Sequence, residues 1–150
     1  KKLRAFGMGK QVHNAITSMN RGAEDAAKSA SPIFVNAIKG MSFNDALSIL
    51  RGNEVAATNY LNSKTSAALR AAFAPVIEKS LQKVNATQHW NTEFTTYNKF
   101  SAEKVETDLT AYVTEKALAG IFYGLGEEEK KIRKDPMARS TELLKKVFAN

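Results

Sequence analysis

Apolar residues recur every three or four positions along most of this chain, the spacing of one face of a helix. The longest such run follows Asp108, where Leu109, Val113, Ala117, Ile121 and Leu125 fall four apart and Leu118 and Phe122 widen the stripe. Asp108 is a good N-cap, because its carboxylate can accept from the free N–H groups of the first turn. Asp135-Pro136 ends the run, since a residue before proline avoids the helical region. Leu69, Ala72, Phe73, Val76, Ile77, Leu81 and Val84 make the clearest stripe in the chain, and Pro75 inside it is expected to kink or break it.

The remaining segments read in the same way. A helix from Lys10 carries Val12, Ile16 and Met19, then Ala23, Ala26 and Ala27. Ser31-Pro32 reads as N-cap and first residue of a second helix holding Ile33, Phe34, Ala37, Ile38 and Met41, unless the two form one kinked rod. Ser42-Phe43-Asn44-Asp45 is a capping-box variant opening a short helix with Ala46, Leu47 and Leu50, closed by Gly52. Asn53 caps a helix with Val55, Ala56, Tyr60 and Leu61, and Thr65 or Ser66 caps the one after it. Thr87 opens a helix bearing Trp90, Phe94 and Tyr97, and residues 98–107 form a loop. A last helix, capped by Ser140 or Thr141, holds Leu143, Leu144, Val147 and Phe148; it is too short to persist alone and is expected to dock on the bundle.

No stretch alternates with period two, carries a hairpin signal or repeats at a fixed interval. The expected architecture is all-α: a single-domain bundle of roughly seven or eight helices, some kinked, with a short C-terminal docking helix. Residues 1–9 form a flexible basic lead-in and residues 10–150 the domain. Gly120, Gly124 and Gly126 interrupt the long helix. Each costs about 1 kcal/mol relative to alanine, so close approach of another helix is expected there, with a local kink as the alternative.

The 150 residues suffice for one well-filled core, and 43% hydrophobic with 25% charged residues describes an ordinary globular chain. No apolar run approaches the roughly 20 residues that cross a bilayer. The absence of cysteine excludes disulfides and thiol chemistry. The formal charge of +7 is uneven: residues 1–21 hold five Lys/Arg and no acid, whereas residues 101–150 hold nine of each. The basic start reads as a solvated leader, with weak contact to an anionic membrane as the alternative and no specific nucleic acid expected.

Catalytic chemistry is thinly represented. The two histidines are His13 and His89, and His89 with Glu93 gives two ligands at most, so no metal and no cofactor are expected. Nothing resembles a nucleophile elbow or a phosphate-binding loop. Glu127-Glu128-Glu129 precedes Lys130-Lys131-Ile132-Arg133-Lys134, and the spacing supports ion pairs along a solvated helix face. The alternative is that one glutamate turns inward toward Arg139 or Tyr123 and lines a polar site. The aromatics fall mostly on helical stripes and read as core. The competing reading is an apolar pocket between the Asp108 helix and the Leu69–Val84 helix, with tyrosines and charges at its mouth. The candidate ligand-binding residues are then Tyr112, Tyr123, Glu127, Glu128, Arg133 and Arg139.

Three blocks, IFVNAIKGMSFNDALSIL (33–50), AATNYLNSKTSAALRAAFAPVIEKSL (56–81) and the run from Asp108 to Phe148 with its YVTEKAL, IFY, EEEKKIR and LLKKVF, resemble the bacterial family catalogued as domain of unknown function 4197. The resemblance runs from about Gly9 to Phe148. It implies a helical, often exported protein whose precursor carries a signal sequence or lipoprotein signal, hence a periplasmic or envelope location. It carries over no activity and no catalytic residue. Three functions follow in order: a noncatalytic envelope protein that binds a partner or assists assembly, a small-ligand binder with a pocket between helices, and a hydrolase of unrecognised type.

Overall fold

A computed structural model describes residues 9–83, 90–91, 95, 97–100, 102–103 and 108–135. Among these the chain forms no strand and five helices with described ends, α1 (Gly9–Ala27), α2 (Ala30–Lys39), α3 (Phe43–Leu50), α4 (Ala56–Gln82) and α5 (Leu109–Lys134), and residues 90–91, 95 and 97–100 are also helical, so the loop expected from residue 98 starts later. The all-α bundle is as expected, with fewer helices than the seven or eight counted from the sequence.

One helix fewer comes from α4, which runs unbroken for 27 residues; the Thr87 helix lies partly and the C-terminal helix wholly outside the described residues. Thr65 and Ser66 do not cap a new helix. Their hydroxyls instead donate back to the carbonyls of Leu61 and Asn62, each at 2.6 Å, which satisfies them without interrupting the ladder. Pro75 is also absorbed inside the helix. A second correction concerns α2, which starts at Ala30 after a turn closed by Ser29 N–H donating to the Ala26 carbonyl. Ser31 is therefore inside the helix, and Pro32 sits in the first turn, where its missing N–H leaves no bond unmade. The predicted caps at Ser42 and Asp108 are present. Ser42 and Asp45 exchange both capping-box bonds at 3.1 Å, and the Asp108 carboxylate accepts from the Ala111 N–H at 3.1 Å.

The core lies where α1, α4 and α5 meet. From α4, Leu69, Phe73, Ile77 and Leu81 are fully buried, the stripe read from the sequence. They meet Leu109, Val113, Leu118 and Phe122 of α5 and Ala26 of α1. The buried side of α5 winds around the helix rather than following one line of four-residue steps, because successive turns face different neighbours. Its first half packs on α1, Phe122 meets the Phe34 ring of α2 edge-on at 6.0 Å, and Gly126 packs on Val55 and Thr58 at the start of α4. Ala117, Ile121 and Leu125 are thus only partly buried.

Of the three glycines expected at a helix contact, Gly126 is buried against α4, and the tightest crossing is on a different helix. At Gly22 of α1, a Cβ would stand 3.0 Å from the Ser80 Cβ and 3.5 Å from the Ile77 Cα, so the small residue lets α1 approach α4. At Gly120 and Gly124 a Cβ would meet nothing within 4 Å among the described residues. The segments assigned to the basic lead-in before Gly9, the Thr87 cap with Phe94, and the C-terminal docking helix lie outside the described residues.

Candidate functional site

The C-terminal turns of α5 grip the junction between α3 and α4. Val55 stands at the N-cap of α4 and has no side chain able to accept from the free N–H groups behind it. Asn53 turns the chain locally by accepting from the Val55 N–H at 3.0 Å, so it does not cap the helix as the sequence suggested. The cap comes instead from Glu129, more than 70 residues away. Its carboxylate accepts from the backbone N–H of Ala57 at 2.9 Å, from that of Thr58 at 2.8 Å and from the Thr58 hydroxyl at 2.7 Å.

Arg133, one turn on, completes the arrangement. Its Nε donates to Glu129 at 2.9 Å, and its terminal nitrogens donate to the carbonyl of Ile49 at 2.7 Å and that of Leu50 at 3.4 Å. One ion pair thereby joins the electropositive start of α4 to the electronegative end of α3, with the favourable sign at each. The two side chains are only 10% (Glu129) and 13% (Arg133) exposed. Burial pushes the Glu129 carboxyl pKa up, but the Thr58 hydroxyl, the two backbone N–H groups and Arg133 together outweigh it and hold the pKa below the ordinary glutamate value. Glu54 in the connecting loop adds exposed pairs to Lys134 at 3.1 Å and Lys130 at 3.9 Å.

The capping box closes the N-terminus of α3 on itself, Arg133 anchors its C-terminus to α5, and Leu47 and Ile49 are half-buried while none of its residues is fully buried. Gly52 makes the tight exit possible, since a Cβ there would stand 2.5 Å from the Ala56 Cβ and 2.9 Å from the Ser48 carbonyl. The helix repeat puts Phe43, Ala46 and Leu50 along one stripe, and all three are exposed. Phe43 is 78% exposed and Leu50 40%; Ile38 and Val35 of α2 are also exposed.

Behind this layer, a cavity of about 430 Å³ opens between α2, α3 and α4. Ile33, Ala37 and Ala68 give it apolar walls, and Asn36, Asp45, Tyr60 and Lys64 bring polar groups. The Lys64 ammonium lies 5.8 Å from the centre of the Tyr60 ring. A smaller cavity of about 210 Å³ lies between α1 and α5, lined by Met19, Asn20, Ala23, Tyr112, Val113, Lys116 and Ala117.

The residues singled out from the sequence are not gathered into one pocket. Tyr112 packs on Trp90 with ring centroids 5.3 Å apart and borders the smaller cavity. Tyr123 is 72% exposed on the outer face of α5. Glu127 pairs with Lys130 at 3.0 Å and Glu128 with Lys131 at 2.9 Å, as a solvated face would. Arg133 is committed to Glu129 and the α3 carbonyls, and Arg139 lies outside the described residues, as does the His89–Glu93 pair. A glutamate does turn inward, but it is Glu129, and it turns toward α4 rather than toward Tyr123. Between α4 and α5, where a pocket was the competing reading, Leu69, Phe73, Ile77, Leu109 and Phe122 form the packed core that the main reading expected. Sequence reasoning passed over Asp45, Tyr60 and Lys64 as a group. The only sign of them was the capping-box aspartate and a Tyr-Lys spacing of four on one helix face.

The fold and these contacts define an α-helical bundle with an internally clamped, outward-facing apolar helix. The chain belongs to the family described as a protein of unknown function, DUF4197, whose model matches residues 1–149. No curated protein and no solved structure matches it.

Proposed function

We propose that this is a noncatalytic interaction protein of the bacterial cell envelope, presenting the α2–α3 layer to a protein partner. The observation that carries the reading is how α3 is held. A helix with five apolar residues out of eight ordinarily secures itself by burying them. Here only Leu47 and Ile49 are half-buried, Arg133 ties down the C-terminal end, and the stripe of Phe43, Ala46 and Leu50 stays outside. Of the eight large hydrophobic side chains exposed among the described residues, four (Val35, Ile38, Phe43 and Leu50) fall within residues 35–50. Single exposed apolar residues are commonplace, whereas a concentration of them is characteristic of a contact surface. Covering a side chain of this size contributes roughly 1.5–3 kcal/mol. The envelope location rests on the export that the family resemblance implies, and the basic residues before position 22 would add weak attraction to an anionic membrane surface.

Native mass spectrometry on protein purified gently from its host, beside a Phe43→Ser variant, tests the reading. A polypeptide retained by the wild type and lost by the variant is the expected result. A partner held equally by both would move the interface off α3, and a bare monomer under all purification conditions would count against a stable partner. Fractionation of the host that left the protein in the cytoplasm would remove the envelope assignment.

A further inference from the structure

The cavity between α2, α3 and α4 combines features that a structural crevice does not require. Asp45 and Lys64 both line it, yet among the described residues no ion pair joins them. Asp45 is fixed in place from behind, because one of its oxygens accepts the Ser42 N–H at 3.1 Å. A carboxylate has about four acceptor positions, so capacity remains toward the cavity. The capping-box bonds with Ser42 hold its pKa below the ordinary aspartate value, and nearby Lys64 and Tyr60 lower it further, which keeps the group anionic at neutral pH. Lys64 is positioned by its own helix, its ammonium close to the ring of Tyr60 one turn earlier. The Thr65 hydroxyl donates to the Leu61 carbonyl and the Gly40 N–H to the Asn36 carbonyl, which leaves the charged pair, the Tyr60 hydroxyl bonded to Asp45 and the Asn36 amide as the polar groups facing a ligand.

We propose that this cavity is a binding site for a small zwitterion with an apolar body, of the α-amino-acid class. The ammonium of such a ligand meets Asp45, its carboxylate meets Lys64, and its side chain lies on Ile33, Ala37 and Ala68. Two opposite charges that line one cavity without an ion pair between them suit a dipolar molecule better than a simple anion or cation, because each ion of one sign is repelled by one of the two groups. The volume falls within the range of small-molecule sites. This site stands independently of the partner surface proposed above.

The test is a titration of the ¹⁵N-labelled full chain, followed by amide shifts, with L-leucine and L-phenylalanine as probes. Two single-charge analogues of leucine, 4-methylpentanoate and 3-methylbutylamine, serve as the discriminating arms. Saturable shifts at Asn36, Gly40, Tyr60 and Lys64 are expected from at least one amino acid, with each analogue binding about tenfold more weakly or worse. Lys64→Met and Asp45→Asn are each expected to weaken amino-acid binding about tenfold while leaving helix content unchanged. The asparagine keeps an oxygen for the Ser42 N–H, so the capping box survives the loss of charge. No saturable shift up to about 10 mM of either amino acid would overturn the proposal. So would analogues that bind as well as leucine, or either variant retaining full affinity.

Discussion

Between α4 and α5, Leu69, Phe73, Ile77 and Leu109 are wholly removed from water, whereas across α2 and α3 only Ala30 is buried. Both regions carry apolar residues at helical spacing. In the interior, side chains interdigitate and dispersion contacts accumulate, so the region is held by its apolar faces. In the outer layer, Ile33 and Phe34 of α2 pack on the core and Leu47 and Ile49 of α3 are half-buried, while the Glu129–Arg133 pair anchors the end of α3 and the stripe of Phe43, Ala46 and Leu50 is left over. Amphipathic pattern thus states that a helix has an apolar face. It does not state whether that face is the one by which the helix is attached.

Substitutions sharpen this contrast, beginning with the interior. Phe73→Ala removes a fully buried ring and is expected to lower unfolding free energy by about 3–5 kcal/mol in urea denaturation. A loss below 1 kcal/mol would mean that the α4–α5 contact is not the stabilising core. Glu129→Gln follows, at about 3 kcal/mol, because it leaves the Arg133 guanidinium without its counter-ion in a nearly enclosed position. Removing Arg133 as well should cost less than the two single losses added together, since the pair acts as a unit.

The same pair carries a pH signature. The folded-state pKa of Glu129 lies below its unfolded value, so the carboxylate contributes stability that is present above the ordinary glutamate range and is lost as pH falls through the folded pKa. Melting temperature should therefore drop from about pH 4.3 downward, and Glu129→Gln should flatten that part of the curve. Parallel curves for wild type and variant would show that Glu129 does not titrate with folding.

Smaller effects probe the exposed faces. Gly124→Ala is expected to stabilise the protein by about 0.5–1 kcal/mol, because a Cβ there meets nothing within 4 Å among the described residues. A destabilised variant would reveal a close neighbour on that face of α5. Phe43→Ser is expected to shift stability by no more than about 0.5 kcal/mol and to reduce binding of a hydrophobic dye. A larger loss would show that the α3 stripe is attached to the fold after all.

Much of the bundle was legible in the chain because local signals fix it. The stripe from Leu69 to Leu81, the caps at Ser42 and Asp108 and the stop at Asp135 each depend on residues within a few positions of one another. Where the reading failed, the competing signal came from another helix. Thr65 resembles a cap, yet the helix continues through it because its flanks are buried on both sides of the break that was expected. Gly120, Gly124 and Gly126 looked like one crossing, but only Gly126 meets α4, and the tightest approach is at Gly22, where α4 passes α1.

The candidate sites show the same division. That one glutamate of 127–129 could turn inward was readable, and that it caps α4 was not, because Val55 lacks a cap of its own and Glu129 supplies it only across more than 70 residues. Asp45, Tyr60 and Lys64 share a cavity wall solely because α3 folds back beside α4. The sequence determined which segments are helical, most of their ends and which faces are apolar, since backbone hydrogen bonding and side-chain spacing are local. The tertiary structure decided which of those faces meet, which remain in water and which charges are enclosed. Those outcomes depend on how helices far apart in the chain pack together, and no short stretch encodes that.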